Sequence, residues 1–185
     1  MKGPIQVISA VGHSYGGAVI TNAATTTPNV VGLVYVAGFA PDENEILGEV
    51  EGTSRDSALG PALVQAQYPT GVGDETATEL YVNPTAFYEV FARDLTEAQA
   101  GVYGASQRPV AAAAFEEKSG VPAWKTLPSW AVVATGDKAA GADVILSMAK
   151  RAGADILEID GSHVIMISQP QEVTNVILKA LQKLS

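Results

Sequence analysis

The feature that most constrains this chain is a glycine-rich turn at residues 12–16, Gly-His-Ser-Tyr-Gly, which lies between two apolar segments. Residues 5–11 are apolar and rich in β-branched side chains, which predicts a buried strand of a parallel sheet. Residues 18–24 are small and mostly apolar, which predicts a helix packed closely against that sheet. The turn therefore joins a strand to a helix and presents Ser14 at the edge of the sheet.

The same pattern of strand and helix recurs on both sides of a long central segment. The apolar run at residues 30–37 predicts a second buried strand. Together with the first predicted strand and the helix between them, it predicts a βαβ unit. Nearer the other end, the pattern predicts strands at residues 130–135 and 156–159 and helices at residues 143–152 and 170–184. These elements indicate an α/β fold with a mostly parallel sheet.

The central segment, residues 42–127, shows no convincing buried strand but several helix signals. The Asn-Pro pair at residues 83–84 predicts a helix start, and Thr96 with Gln99 predicts a capping box. A helical insertion between sheet strands is typical of a cap over a site at the strand ends. We therefore expect a single domain over residues 1–185 that contains a helical cap insertion.

Charge and composition exclude several classes of function. Twenty acidic and eleven basic side chains give a net charge of −9, which repels nucleic acid and anionic membrane surfaces. Cysteine is absent and there are only two histidines, which favours a site without a metal. No apolar run approaches the ~18 residues of a membrane helix, and the start of the chain lacks an export signal. We expect a cytoplasmic protein without nucleic-acid or membrane partners.

The sequence Gly-x-Ser-x-Gly between a strand and a helix is the setting of a nucleophile elbow, which exposes a serine above a sheet. We expect side chains at positions 12 and 16 to collide with the neighbouring strand and helix. The backbone N–H of Tyr15, at the start of the helix, is placed to donate to a developing oxyanion. Ser14 is therefore the candidate nucleophile.

A serine hydroxyl is a weak nucleophile at neutral pH and needs a general base within hydrogen-bonding reach. His163 lies in the loop between the last predicted strand and the last helix, at the same sheet edge as Ser14, and is the candidate base. His13 directly follows the first glycine of the turn and is expected to point away from Ser14. We expect His13 to pack against or support the turn, and we count it among the candidate substrate-binding residues.

A histidine base in turn needs a carboxylate that fixes its tautomer and stabilises its charged form. Asp137 follows directly on a predicted strand and is the candidate acid. Asp160 is a rival, but it is too near His163 in sequence for an easy approach. Asp143 is a second rival and is expected to start a helix. The order serine, acid, histidine is that of the α/β-hydrolase fold.

The chain resembles the α/β-hydrolase superfamily, and within it small bacterial esterases related to plant hydroxynitrile lyases and methyl esterases. The resemblance spans nearly the whole chain and rests on residues 11–17, 35–41, 107–109, 122–130 and 161–163. It implies a three-layer fold and hydrolysis of a small-molecule ester through an acyl-enzyme, with no metal or organic cofactor.

Carried over to this sequence, the resemblance implies that Ser14, Asp137 and His163 are nucleophile, acid and base. The resemblance over the cap segment also suggests which side chains line the acyl pocket. The candidates are Tyr81, Phe87 and Trp124.

The chain departs from complete members of the family at its start, where one short strand precedes the turn instead of several strands and a helix. We therefore expect a sheet truncated on its amino-terminal side, without the loop that supplies a second oxyanion donor. Loss of one such donor lowers kcat by about 100- to 1,000-fold. An exposed apolar sheet edge invites pairing with another chain, so a homodimer through this edge is a hypothesis.

The leading functional hypothesis is a carboxylic-ester hydrolase for small to medium uncharged esters. A lyase of the hydroxynitrile type is an alternative, because it uses the same three side chains without an acyl-enzyme. A third alternative is a catalytically inactive truncated chain or a binding module, which the expected loss of the oxyanion loop would favour.

Overall fold

The computed structural model describes residues 8–184. Its strands are β1 (Ile8–His13), β2 (Val30–Val36), β3 (Leu63–Pro69), β4 (Thr76–Val82), β5 (Val110–Ala111), β6 (Ser129–Ala134) and β7 (Asp155–Ile159). Its helices are α1 (Tyr15–Ala23), α2 (Leu47–Glu51), α3 (Leu59–Ala62), α4 (Pro84–Phe91), α5 (Glu97–Ser106), α6 (Ala113–Glu116), α7 (Ala142–Arg151), α8 (Ile165–Ser168) and α9 (Pro170–Leu184). Two 3₁₀ turns lie at Ala24–Thr26 and Ala123–Lys125.

Four strands form a parallel sheet in the order β1-β2-β6-β7. The four strands predicted from apolar runs are confirmed, with bounds that differ by a few residues, and the last helix has the predicted bounds. Residues 5–7 of the first predicted strand lie outside the described residues. Because all four strands are parallel, their carboxyl ends meet at one edge of the sheet.

Helices cover both faces of this sheet, as the alternation of side chains along β2 shows. Leu33 and Tyr35 pack with residues of α1 and α7 on one face. Val34 and Val36 pack with residues of α8 and α9 on the other face. All four side chains are at most 3 % exposed. The predicted three-layer α/β fold is confirmed.

The segment between β2 and β6 contains α2 to α6 and a second sheet, which is antiparallel with the order β3-β4-β5. The prediction that residues 42–127 are helical was therefore incomplete. No residue of β3 is buried, and Val82 is the one buried residue of β4, so neither strand shows the apolar run of a buried strand. The predicted Asn83 cap of α4 and the capping box of Thr96 and Gln99 at α5 are confirmed.

Strand β1 lies at an edge of the parallel sheet, and two of its apolar side chains are open to solvent. Ile8 is 44% exposed and Val11 is 45% exposed. Within residues 8–184, β1 pairs with β2 alone. An apolar edge of this kind can pair with another strand, and self-association through it stays a prediction.

Candidate active site

Ser14 lies in a strained turn between β1 and α1. Its φ is 53° and its ψ is −127°, a conformation that costs a residue with a side chain on the order of 1–3 kcal/mol. The turn is held by its own backbone: Ser14 N–H donates to Val36 O at 3.4 Å, and Ser14 O accepts from the N–H groups of Gly17 at 2.9 Å and Phe39 at 3.1 Å. The end of β2 and the loop after it therefore keep Ser14 in this conformation.

Two glycines allow the close packing around the turn. A Cβ atom at Gly12 would lie 2.4 Å from Gly16 O, and one at Gly17 would lie 2.4 Å from Phe39 O. A Cβ atom at Gly16 would have no neighbour within 4 Å. The prediction that position 16 is sterically closed was therefore wrong, because Gly17 is the residue that contacts the loop after β2.

His163 and Asp137 form a buried hydrogen-bonded pair. His163 Nδ1 donates to Asp137 Oδ2 at 2.8 Å, and each side chain is 1% exposed. Asp137 Oδ1 accepts from the N–H groups of Ala139 at 2.9 Å and Ala140 at 3.0 Å. Burial opposes ionisation, but the charge and hydrogen bond of His163 and the two N–H groups hold the pKa of Asp137 below its ordinary value. The carboxylate therefore stays ionised. Its hydrogen bond with Nδ1 orients the imidazole so that Nε2 points away from Asp137.

The two members of this pair come from neighbouring loops at the carboxyl edge of the sheet. Asp137 follows β6 and His163 follows β7. The loops contact each other through Gly136 N–H, which donates to Gly161 O at 3.0 Å. A Cβ atom at Gly136 would lie 2.9 Å from that same oxygen. Close contact between the loops therefore sets the distance between Asp137 and His163.

His13 contacts His163 directly. Its Nε2 donates to the backbone oxygen of His163 at 2.8 Å, and the two ring centroids are 4.6 Å apart. Burial and the neighbouring charge of His163 lower the pKa of His13 to about 4. His13 is therefore neutral at neutral pH, and it supports the loop of His163 without placing a positive charge beside that ring.

Ser14 and His163 line one cavity. Among the described residues, no hydrogen bond joins Ser14 Oγ to His163 Nε2. Hydrogen bonds between nucleophile and base are often long in the absence of substrate and tighten when it binds. Tyr15 is the first residue of α1, so its N–H has no partner within the helix. That N–H is available beside Ser14.

The cavity has a volume of about 490 Å³ and lies between the sheet edge and the insertion. This volume is within the ~300–1,000 Å³ range of small-molecule sites. Its apolar walls include Leu59, Leu63, Leu80, Val82, Phe87, Phe91, Val110, Phe115, Met166 and Ile167. Its polar side chains include Glu51, Ser106, Gln107 and Arg108.

Of the predicted pocket residues, Tyr81 and Phe87 line this cavity, as does His13. Trp124 does not. Its indole N–H donates to Pro41 O at 3.0 Å, and its ring packs against the core on the side of α1 and α7. The prediction for Trp124 was wrong because the 3₁₀ turn that carries it precedes β6, away from the carboxyl ends of the strands.

Two residues near His163 were missed as site residues. The Phe91 ring meets the His163 ring edge to face at 4.6 Å between centroids, and Asp94 binds the residue before His163. Phe91 follows Phe87 by one helical turn, and that spacing could have placed both rings at one site. Asp94 is a single acid in a polar loop, and no pattern in the sequence distinguishes it.

The two rival acids lie elsewhere. Asp160 is exposed to solvent. Asp143 lies in the first turn of α7, and its carboxylate accepts from Ser54 Oγ at 2.5 Å and from the backbone N–H of Arg55 at 3.0 Å. Neither is the partner of His163.

Two further properties concern residues 8–184 as a whole. No three histidine, aspartate or glutamate side chains in this range come together in a way that could hold a metal ion. None of the helices in this range has the length and apolar character needed to span a membrane.

The chain belongs to the alpha/beta hydrolase family, whose model matches residues 3–176. This confirms the family predicted from the turn and from the order of the three residues. Comparison with curated proteins gives no match.

Solved structures share the fold at low sequence identity. Polyneuridine aldehyde esterase superposes with a TM-score of 0.74 at 19% identity, over 96% of this chain and 73% of that protein. Tomato methylketone synthase I in complex with 2-tridecanone gives a TM-score of 0.72 at 21% identity, over 97% and 72%. An Arabidopsis methylesterase gives 0.74 at 17% identity, over 99% and 72%.

Proposed function

We propose that this chain is a serine carboxylic-ester hydrolase acting on small to medium uncharged esters. In this proposal Ser14 is the nucleophile, His163 the general base and Asp137 the residue that orients it. The observation that carries the proposal is the fully buried hydrogen bond of 2.8 Å between His163 Nδ1 and Asp137 Oδ2, beside a cavity that Ser14 also lines.

The pair of His163 and Asp137 supports a base rather than a merely buried histidine. A buried histidine with a purely structural role needs only a hydrogen-bond partner for its ring. The His163 ring has Nδ1 fixed by a carboxylate, and it also lines the cavity that Ser14 lines. Asp137 is itself fixed by two backbone N–H groups, so it can stabilise the imidazolium that forms during proton transfer.

The reaction then runs in two halves. Ser14 Oγ attacks the ester carbonyl carbon and its proton passes to His163 Nε2, which forms a tetrahedral intermediate. The carbon–oxygen bond to the alcohol breaks, His163 returns the proton to the leaving alcohol, and an acyl-Ser14 remains. Water, deprotonated by His163, hydrolyses this ester and regenerates the free serine.

The oxyanion of the intermediate needs hydrogen-bond donors that are in place beforehand. The N–H of Tyr15 is one candidate donor, because it adjoins Ser14 and has no partner within α1. The amino end of α1 also carries a partial positive charge on the same side. Both features stabilise negative charge next to Ser14.

The cavity supports an uncharged, largely apolar substrate. Aliphatic and aromatic side chains from the insertion and from α8 form most of its wall, and its volume of about 490 Å³ accommodates a short acyl chain with its alcohol. The structures of similar fold include proteins named as an esterase and a methylesterase, which agrees with this class of substrate.

The test is hydrolysis of p-nitrophenyl acetate and p-nitrophenyl butyrate by the purified chain, followed as release of p-nitrophenolate. Ser14→Ala is the variant, and Ser9→Ala, at the other end of β1, is the matched control. We expect turnover in the wild type and in Ser9→Ala, and none above background in Ser14→Ala.

Other outcomes point to the alternatives. Cleavage of a cyanohydrin without ester turnover would mean a lyase that uses the same three side chains. Absence of both activities in the wild type would overturn the proposal and favour a binding role.

A further inference from the structure

One carboxylate of the insertion binds the loop that carries His163. Asp94 lies between α4 and α5, and its Oδ2 accepts from Ser162 N–H at 2.7 Å and from Ser168 Oγ at 2.6 Å. Its Oδ1 accepts from Ser162 Oγ. A single side chain therefore binds both the backbone N–H and the hydroxyl of the residue that precedes His163.

The main chain on both sides of His163 is thus fixed by a side chain. Asp94 binds the N–H of Ser162, and His13 Nε2 donates to the backbone oxygen of His163 at 2.8 Å. His13 belongs to β1, whereas Asp94 belongs to the insertion. Two peptide groups held from opposite parts of the molecule leave the backbone of His163 little freedom to rotate.

The corner between α4 and α5 contacts this loop at a second point. The backbone oxygen of Phe91, the last residue of α4, lies 3.2 Å from Ser162 Oγ and shares the hydroxyl proton with Asp94 Oδ1, and the Phe91 ring packs against the His163 ring. The fit is close, because a Cβ atom at Gly161 would lie 2.8 Å from Asp94 Oδ2. The insertion therefore contacts the base through both a ring and a carboxylate.

Asp94 accepts these bonds as a carboxylate. Asp94 is exposed at the surface. Desolvation of its carboxyl group opposes ionisation, but the hydrogen bonds from Ser162 and Ser168 hold the pKa of Asp94 below its ordinary value. Among the described residues Asp94 forms no salt bridge. The side chains that bind its carboxylate are those of Ser162 and Ser168.

We propose that Asp94 is a positioning residue for the general base: through Ser162, it holds His163 where Nε2 can take the proton of Ser14. The inference rests on the proposed function, because Asp94 matters for turnover only if His163 is the base. It assigns to a residue of the insertion a part in catalysis that requires no contact with substrate.

The kinetic test compares Asp94→Ala with two controls. Misplacing a reacting group by about 1 Å costs on the order of 100-fold in rate, and we expect Asp94→Ala to lower kcat for p-nitrophenyl butyrate by about that factor, with KM changed less than about twofold. Glu97→Ala removes a nearby exposed acid. Ser168→Ala removes the bond between α8 and Asp94 and a long bond of 3.5 Å to Ile165 O, and it leaves the bonds from Ser162 to Asp94 in place. Both should keep the kcat of the wild type.

Asp94→Asn tests whether the hydrogen bonds account for the effect. The amide oxygen can still accept from Ser162 N–H, and the Ser162 hydroxyl can turn to accept from the amide N–H. We therefore expect a partial rescue, with kcat about 10-fold below the wild type. If Asp94→Ala does not fold, Asp94→Asn carries the test: a lower kcat supports the inference and an unchanged kcat overturns it.

A spectroscopic test does not depend on ester turnover. We expect the proton between His163 Nδ1 and Asp137 Oδ2 to give a far-downfield ¹H NMR resonance, which its loss in Asp137→Asn would assign. We expect this resonance to broaden or shift in Asp94→Ala and to stay unchanged in Ser168→Ala. An unchanged resonance in Asp94→Ala, or an equal fall of kcat in Ser168→Ala, would overturn the inference. Absence of turnover in the wild type would instead refute the proposed function alone.

Discussion

The burial of His13 makes the stability of this protein depend on pH in a calculable way. The pKa of His13 is lowered from 6.5 to about 4 in the folded chain, mainly by burial and then by the charge of His163. Between these two pH values the unfolded chain binds a proton that the folded chain does not. Stability therefore rises with pH across this window, and it is lost as the pH falls from about 6.5 towards about 4.

The expected size follows from the two pKa values. At pH 7 both states hold His13 largely neutral, so its contribution to the pH dependence is small. At pH 5 the unfolded histidine is almost fully protonated and the folded one is almost fully neutral. The free energy of unfolding should therefore fall by about 2 kcal/mol between pH 7 and pH 5 from this one group.

The matched variant is His13→Gln, whose amide can still donate to the backbone oxygen of His163 but does not titrate. Urea unfolding at pH 7 and pH 5, analysed by linear extrapolation, gives the loss of stability for each chain. All other titratable groups are the same in the two chains, so the difference between the two losses reports the contribution of His13. We expect the wild type to lose about 2 kcal/mol more than the variant. Equal losses would refute the reasoning that burial keeps His13 neutral.

Three further predictions concern the turn, the acid and the sheet edge. Gly12→Ala should lower the free energy of unfolding in urea by about 3 kcal/mol, because the new Cβ meets the backbone of Gly16. Gly16→Ala should leave this free energy unchanged or raise it by up to about 1 kcal/mol. Equal losses of stability in the two variants would contradict the geometry. Asp137→Asn should lower kcat by about 1,000- to 10,000-fold. The amide oxygen can still accept from the two backbone N–H groups, so the amide NH₂ faces His163 Nδ1 and favours the wrong tautomer of the ring. An activity near that of the wild type would show that Asp137 does not orient the base. Sedimentation velocity at micromolar concentration should show a dimer that Val11→Lys dissociates, and a monomeric wild type would remove the hypothesis of edge pairing.

The parallel sheet could be predicted because its two central strands, β2 and β6, are buried on both faces. Such strands read as continuous apolar runs, and β2 and β6 are almost completely buried. The hairpin of β3 and β4 could not be predicted in the same way, because its side chains are mostly half exposed and its strands contain no apolar run. Pairing between β3 and β4 depends on their contacts with each other and with the cavity, which a single sequence does not display.

The same difference separates the three central residues of the site from those around them. Ser14, Asp137 and His163 each follow a strand of one parallel sheet, so the topology alone brings them to one edge. The pocket residues have no such constraint. Trp124 was placed in the cavity by analogy, but its indole N–H bonds to Pro41 and its ring joins the core.

Asp94 is a residue outside the parallel sheet that bears on the proposed function through its contact with the loop of His163. The sheet determines which residues reach its edge, but it does not determine the rotation of the His163 peptide, and a base must be oriented as well as present. In this structure that rotation is constrained by His13 from the sheet and by Asp94 from the insertion. The insertion packs against Ala139 and Val164 through a buried apolar cluster, whereas the carboxylate of Asp94 reaches Ser162 from a polar loop. With His163 as the proposed base, we therefore expect that a change in the insertion can alter the rate of the reaction while Ser14, Asp137 and His163 stay in place.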